Sequence, residues 1–91
     1  MKLRLTLAAE QDIEHIRDTV TTESPIAAVK IQRSIARAVA LLSVFPNMRR
    51  TGQVQGTREK TVKSLLYVIV YAVDETELVI LRIYHGVQKR G

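Results

Sequence analysis

Residues 65–85 constrain the fold more than any other part of the chain. They read Leu65-Leu66-Tyr67-Val68-Ile69-Val70-Tyr71-Ala72-Val73, then Asp74-Glu75-Thr76-Glu77, then Leu78-Val79-Ile80-Leu81-Arg82-Ile83-Tyr84-His85. Two runs rich in β-branched and aromatic residues, joined by a short acidic linker without an apolar side chain, predict an antiparallel hairpin. The first run is apolar at both alternating parities, so neither of its faces suits water. A strand of that kind belongs inside a sheet under a covering layer, and Tyr67 to Val73 is expected to be central. The second run departs from the pattern at its end, where Arg82, Tyr84 and His85 place a fixed cation, a phenol and an imidazole on or beside an otherwise apolar strand.

The chain has 91 residues, which predicts one domain over 1–91 with a single two-layer core. With 46% apolar residues and a mean hydropathy of +0.01 it has enough apolar surface to fold. Charged side chains interrupt every apolar segment before it reaches the length of a membrane span. Met1-Lys2-Leu3-Arg4-Leu5 alternates charge and apolarity and lacks the continuous apolar core of a signal peptide, so a cytosolic protein is expected. No cysteine is present, which removes disulfides and thiolate chemistry, and two scattered histidines give no zinc-binding pattern. No metal or other cofactor is expected.

The formal net charge is +5. Its location matters more than its size. Residues 46–64 hold Arg49, Arg50, Arg58, Lys60 and Lys63 against Glu59 alone, a surplus of four in nineteen residues. A dense positive patch favours an anionic partner, either nucleic acid or an acidic protein, because counterion release and steering both scale with local charge density. A solvated surface is the alternative reading of the same charges.

Leu3, Leu5 and Leu7 alternate with Lys2, Arg4 and Thr6 and predict a first strand with one buried face. Ala9, Ile13, Ile16 and Val20 then repeat at helical spacing, with acidic residues in the first turn, where they complement the helix dipole. His15 lies off this stripe and is given no role. Ser24 can cap a second helix and Pro25 fits its first turn. Ala28, Ile31, Ile35, Ala38 and Leu42 continue the apolar stripe to about Ser43, and Lys30, Arg33 and Arg37 line the outer face, read as solvated. The short connection predicts an antiparallel helical hairpin. After Phe45-Pro46-Asn47 comes a loop with turn positions at Gly52 and Gly56, then an outer strand over 57–62 on which Arg58 and Lys60 share a face. A Lys63-Ser64 turn leads into the hairpin. The expected fold is α+β, ordered β-α-α-β-β-β, with the helical hairpin on one face of a small, mainly antiparallel sheet. Arg and Lys are expected to gather on the opposite face.

The succession Phe45-Pro46, Arg50-Thr51-Gly52, Gly56-Thr57-Arg58-Glu59, Tyr67-Val68-Ile69-Val70-Tyr71 and Val79-Ile80-Leu81-Arg82-Ile83-Tyr84-His85 resembles the RelE/ParE superfamily of bacterial toxins. The likeness covers nearly the whole chain in element order and size. It implies a small acidic antitoxin as partner, whose C-terminal segment wraps the toxin. The superfamily holds two functions. RelE-like members cut mRNA on the ribosome, and ParE-like members poison DNA gyrase without nuclease activity.

Chemistry separates the two. Cleaving RNA without a metal requires clustered cations to stabilise a phosphorane-like charge, and a proton donor such as His, Tyr or Glu for the leaving oxygen. RelE-like nucleases commonly carry an Arg directly after the Tyr that opens the central strand, and a further Arg and Tyr near the C-terminus. Here Val68 follows Tyr67, Gly86-Val87 follows His85, and no later Tyr occurs. The remaining candidates for a nuclease site are Arg58, Arg82, Tyr84 and His85. Alternation places Arg82 and Tyr84 on one face and His85 on the other. His85 can equally be a strand-end residue, Arg58 and Glu59 a structural ion-pair position, Arg82 a bridge to the hairpin's acidic turn, and Tyr67 and Tyr71 core. The resemblance therefore implies the ParE-like branch: a gyrase inhibitor whose basic residues Arg49, Arg50, Arg58, Lys60, Lys63 and Arg82 bind target or antitoxin. Ribosome-bound mRNA cleavage and antitoxin binding alone are the alternatives.

Overall fold

The computed structural model describes residues 2–45, 56–62 and 67–86. Arg49, Arg50, Lys63 and the turn position Gly52 lie outside the described residues. The elements are β1 (Lys2–Leu5), α1 (Leu7–Glu23), α2 (Pro25–Val44), β2 (Arg58–Val62), β3 (Tyr67–Val73) and β4 (Glu77–His85). The strands form one sheet in the order β1-β4-β3-β2. β2, β3 and β4 pair antiparallel, whereas β1 runs parallel to β4. The α+β fold with both helices on a mainly antiparallel sheet is as the sequence predicts, and Tyr67–Val73 is an interior strand.

One residue joins the helices. Ser24 ends α1 by donating its backbone N–H to the Val20 carbonyl at 2.8 Å. Its hydroxyl also starts α2 by accepting the Ala27 N–H at 3.2 Å, and Pro25 sits where no donor is needed. All five predicted stripe residues of α2, Ala28, Ile31, Ile35, Ala38 and Leu42, are buried. Ile31, Ile35, Ala38 and Leu42 meet Val62, Ile69, Tyr71, Leu78, Ile80 and Ile83 in one core, with Tyr71 and Ile69 fully inaccessible. Burying a side chain of this size contributes about 1.5–3 kcal/mol, so this shared core is a principal source of stability.

The first strand is shorter than its alternation suggests. Leu7 is the first residue of α1 and is 70% exposed, and Leu3 is 40% exposed. Thr6 is the cause. Its N–H donates to the Ile80 carbonyl at 3.0 Å as the last rung of the ladder, while its hydroxyl accepts the Ala9 N–H at 3.0 Å as the cap of α1. A residue that caps a helix cannot carry the strand onward, so Leu7 starts a turn of helix instead of facing the core.

The register divides the sheet into two faces, because directly opposed residues of an antiparallel pair share a side. Lys60 opposes Ile69 and Arg58 opposes Tyr71, so both cations lie on the helix-covered side, at its β2 edge. Arg82 opposes Val70 and Tyr84 opposes Val68, on the other side. The expectation that the cations gather opposite the helices is therefore corrected: the pleat separates Arg58 and Lys60 from Arg82.

Candidate functional site

Arg82 reaches its position through an irregularity in β4. Tyr71 pairs with Ile80 but Val70 pairs with Arg82, which leaves Leu81 as the extra residue of a β-bulge. Strict alternation from Leu78 and Ile80 would send Arg82 into the core and Ile83 out. The bulge reverses the phase, burying Ile83 and turning Arg82 and Tyr84 outward. β1 has already ended here, so side chains finish the edge of β4. The Thr6 hydroxyl donates to the Leu81 carbonyl at 2.8 Å, and Asp12 of α1 accepts the Ile83 N–H at 2.8 Å.

The same Asp12 carboxylate takes Arg82 side-on, accepting from Nε at 2.8 Å and from Nη2 at 3.0 Å. The guanidinium also lies over the Tyr84 ring, 4.8 Å from its centroid, an arrangement attractive to a cation. The hydrogen bonds to Asp12 raise the Arg82 pKa above its ordinary value. Arg82 therefore does not bridge the hairpin's acidic turn. In that turn Glu77 meets Arg4 at 3.3 Å, while Asp74 accepts the backbone N–H groups of Thr76 and Glu77 at 2.8 Å each.

The other nuclease candidates are dispersed. His85 opposes Tyr67 and meets its ring edge-on at 5.5 Å, on the face away from Arg82 and Tyr84, as the alternation predicts. Tyr67 and Tyr71 are core residues. Burial, and secondarily the Glu23 carboxylate, pushes the Tyr67 phenol above its ordinary range. Arg58 and Lys60 stand on β2, with Lys60 lining a shallow groove against Arg37 and Leu41 of α2. Sequence reasoning missed Asp12 and gave no role to His15, yet both line the hollow of about 330 Å³ beside Arg82 and Tyr84. Only the run of acidic residues early in α1 hinted at Asp12, because its partners lie about 70 residues away.

A larger feature lies on the helix side. Leu3 and Leu5 of β1, Ile13 of α1, and Ile35, Val39 and Ala40 of α2 wall an apolar groove of about 630 Å³. Apart from Gln32 and Ser43 its lining is apolar, so it suits an apolar side-chain row of a protein segment better than a polar small molecule. The sequence assigned Leu3, Leu5, Ile13 and Ile35 to buried faces and left Val39 and Ala40 of α2 unassigned, so the groove was not legible there. Among the described residues, no helix is long and apolar enough to cross a membrane.

The helical hairpin on a four-stranded mixed sheet is a fold that this chain shares with solved chains of toxin–antitoxin systems. A chain of the chromosomal ParDE system of P. aeruginosa superposes with a TM-score of 0.81 at 28% identity, over 93% of this chain and 95% of that one. A chain of the toxin–antitoxin complex RelBE2 of Mycobacterium tuberculosis shares the fold at a TM-score of 0.61 and 21% identity, over 92% of this chain and 88% of that one. A candidate toxin of Sinorhizobium fredii is 28% identical over 88 residues, 97% of this chain and 91% of its own. Residues 3–90 match the family described as the ParE toxin of type II toxin–antitoxin systems. The chain belongs to that family.

Proposed function

We propose that this ParE-family toxin acts in the cytosol by inhibiting DNA gyrase through a protein interface, and that a small acidic antitoxin neutralises it. The observation that carries the reading is the engagement of Arg82. A cation that stabilises a cleaving phosphate offers its donors to the substrate, and here Nε and Nη2 of the half-exposed guanidinium are engaged by Asp12. Of the proton-donor candidates, His85 lies on the other face and Tyr84 stands under the Arg82 guanidinium. Support for the antitoxin comes from the apolar groove, which fits an amphipathic partner segment, and from the net charge of +5, which attracts an acidic one. The basic residues Arg49, Arg50, Arg58, Lys60 and Lys63 would steer that partner, and charge reversal at Arg49, Arg50 and Arg58 should weaken its binding by calorimetry.

The test is a gyrase supercoiling and DNA-cleavage assay with antitoxin-free toxin whose folding has been verified by circular dichroism. Inhibition or trapped double-strand breaks are expected. Arg82→Ala and His85→Ala are expected to have no RNA cleavage to lose in a ribosome-programmed mRNA assay. Cleavage by the wild type, abolished by either substitution, would overturn the reading.

A further inference from the structure

The outer face of α2 is not built for water. Its exposed polar side chains are Lys30, Arg33 and Arg37 and no others; the remaining exposed positions are apolar, with Ile26 71% and Val44 66% exposed, and Phe45 at the C-cap is 50% exposed. At about 100° per residue the three cations fall within an arc of about 60°, and Ile26 and Val44 lie on the same line at its two ends. α2 contains no carboxylate, and among the described residues no ion pair reaches the three cations. The face is thus a ridge with positive charge at its middle and bare apolar side chains at its ends.

Three kinds of cover can be weighed. A second copy using the same ridge would bring like charges together, since α2 has no acid to offer. The acidic outer face of α1 is no better, because Arg17 already engages Glu14 and Asp18 and the surrounding residues are polar. A nucleic-acid backbone would meet the cations but leave Ile26, Val44 and Phe45 in water. A protein surface with carboxylates set between apolar side chains satisfies both. Position adds a further point: Ala36 and Ala40 are exposed beside Arg33 and Arg37 and also line the apolar groove. A segment lying in the groove stands against the ridge.

We propose that this ridge of α2 is the surface that grips the toxin's protein target, one presenting carboxylates between apolar side chains. An antitoxin seated in the adjoining groove neutralises the toxin by covering the ridge. The inference rests on the toxin reading above.

It is tested with the triple variant Lys30→Glu, Arg33→Glu, Arg37→Glu, and with the milder triple Gln variant in case charge reversal impairs folding. Three readouts are growth arrest on induction, half-inhibition of gyrase supercoiling, and antitoxin affinity by calorimetry. The expected result is loss of growth arrest and a rise of about 100-fold in the toxin needed for half-inhibition, with a loss of antitoxin affinity about tenfold smaller, because the apolar groove still seats the antitoxin. Wild-type toxicity in a folded variant would overturn the proposal, as would a parallel loss of antitoxin binding or a wild type that does not arrest growth. Loss of inhibition that tracks loss of salt-sensitive duplex DNA binding would make the ridge a nucleic-acid surface and overturn a protein target. If the wild type arrests growth but spares gyrase, the gyrase reading fails and the growth arm alone decides the ridge.

Discussion

Asp12 holds three donors with two oxygens, and they are not equivalent. Two belong to the Arg82 guanidinium, whose side chain is 43% exposed, and one to the Ile83 backbone at the uncovered edge of β4. Solvent screens the first interaction, while a part-buried backbone N–H left without an acceptor loses a charge-assisted bond outright. Asp12→Ala is therefore expected to destabilise by about 2–3 kcal/mol, and Arg82→Ala by under about 1 kcal/mol, both read by urea denaturation. Equal costs would mean that the ion pair, not the edge bond, is what matters. None of this was legible in the sequence. A carboxylate in the first turns of a helix reads as a partner for the helix dipole, and only folding brings it to a strand about 70 residues away. The separation of His85 from Tyr84, by contrast, follows from the two-residue period of any strand and was readable directly.

At the scale of elements, legibility depended on whether neighbours along the chain were enough to decide. The helical stripe of α2 was complete in the sequence because 3.6-residue spacing is a local property, and so was the Ser24-Pro25 junction. The end of β1 was not, because Thr6 has to choose between one more strand residue and a helix cap, and the contact with Ile80 and Leu81 decides it. Thr6→Val keeps the shape and removes both hydroxyl bonds. A loss of about 1–2.5 kcal/mol is expected in denaturation, with Thr6→Ser close to wild type. The β bulge was equally invisible, since nothing in Ile80-Leu81-Arg82 marks a phase change. The hairpin turn gives a pH signature. Its hydrogen bonds from the Glu77 and Thr76 backbone and from the Thr76 hydroxyl hold the Asp74 carboxyl below its ordinary value. Its contribution is therefore present above the unfolded carboxyl pKa, about 3.9, and is lost as pH falls through the lower folded value. Comparing the thermal stability of wild type with Asp74→Ala between pH 7 and pH 2 should show a difference that closes at the acid end, and that shrinks with added salt because the turn is exposed.

On the scale of the whole molecule, charge and apolar surface are partitioned between the two helices: α1 is acidic, with Glu14 and Asp18 paired to its own Arg17 and Asp12 to β4, and α2 is cationic with apolar ends. Partner binding to the folded toxin alone raises its apparent stability, by about 2.7 kcal/mol at a free concentration of 100 Kd. Antitoxin is expected to raise the melting temperature accordingly, and Ala40→Glu, which puts a like charge at the groove mouth, is expected to abolish most of that shift. The topology also governs when any of these surfaces exists. β4 follows every other described element in the chain yet lies inside the sheet, between β3 and the first strand β1. A chain growing during synthesis at about 5–20 residues per second carries both helices and three strands before it has anything to join β1 to β3. Until β4 emerges, β1 has no strand beside it, the core lacks Leu78, Ile80 and Ile83, and the groove lacks its β1 wall. Translation cut short before β4 thus yields an inert fragment for proteases, not a weakened toxin.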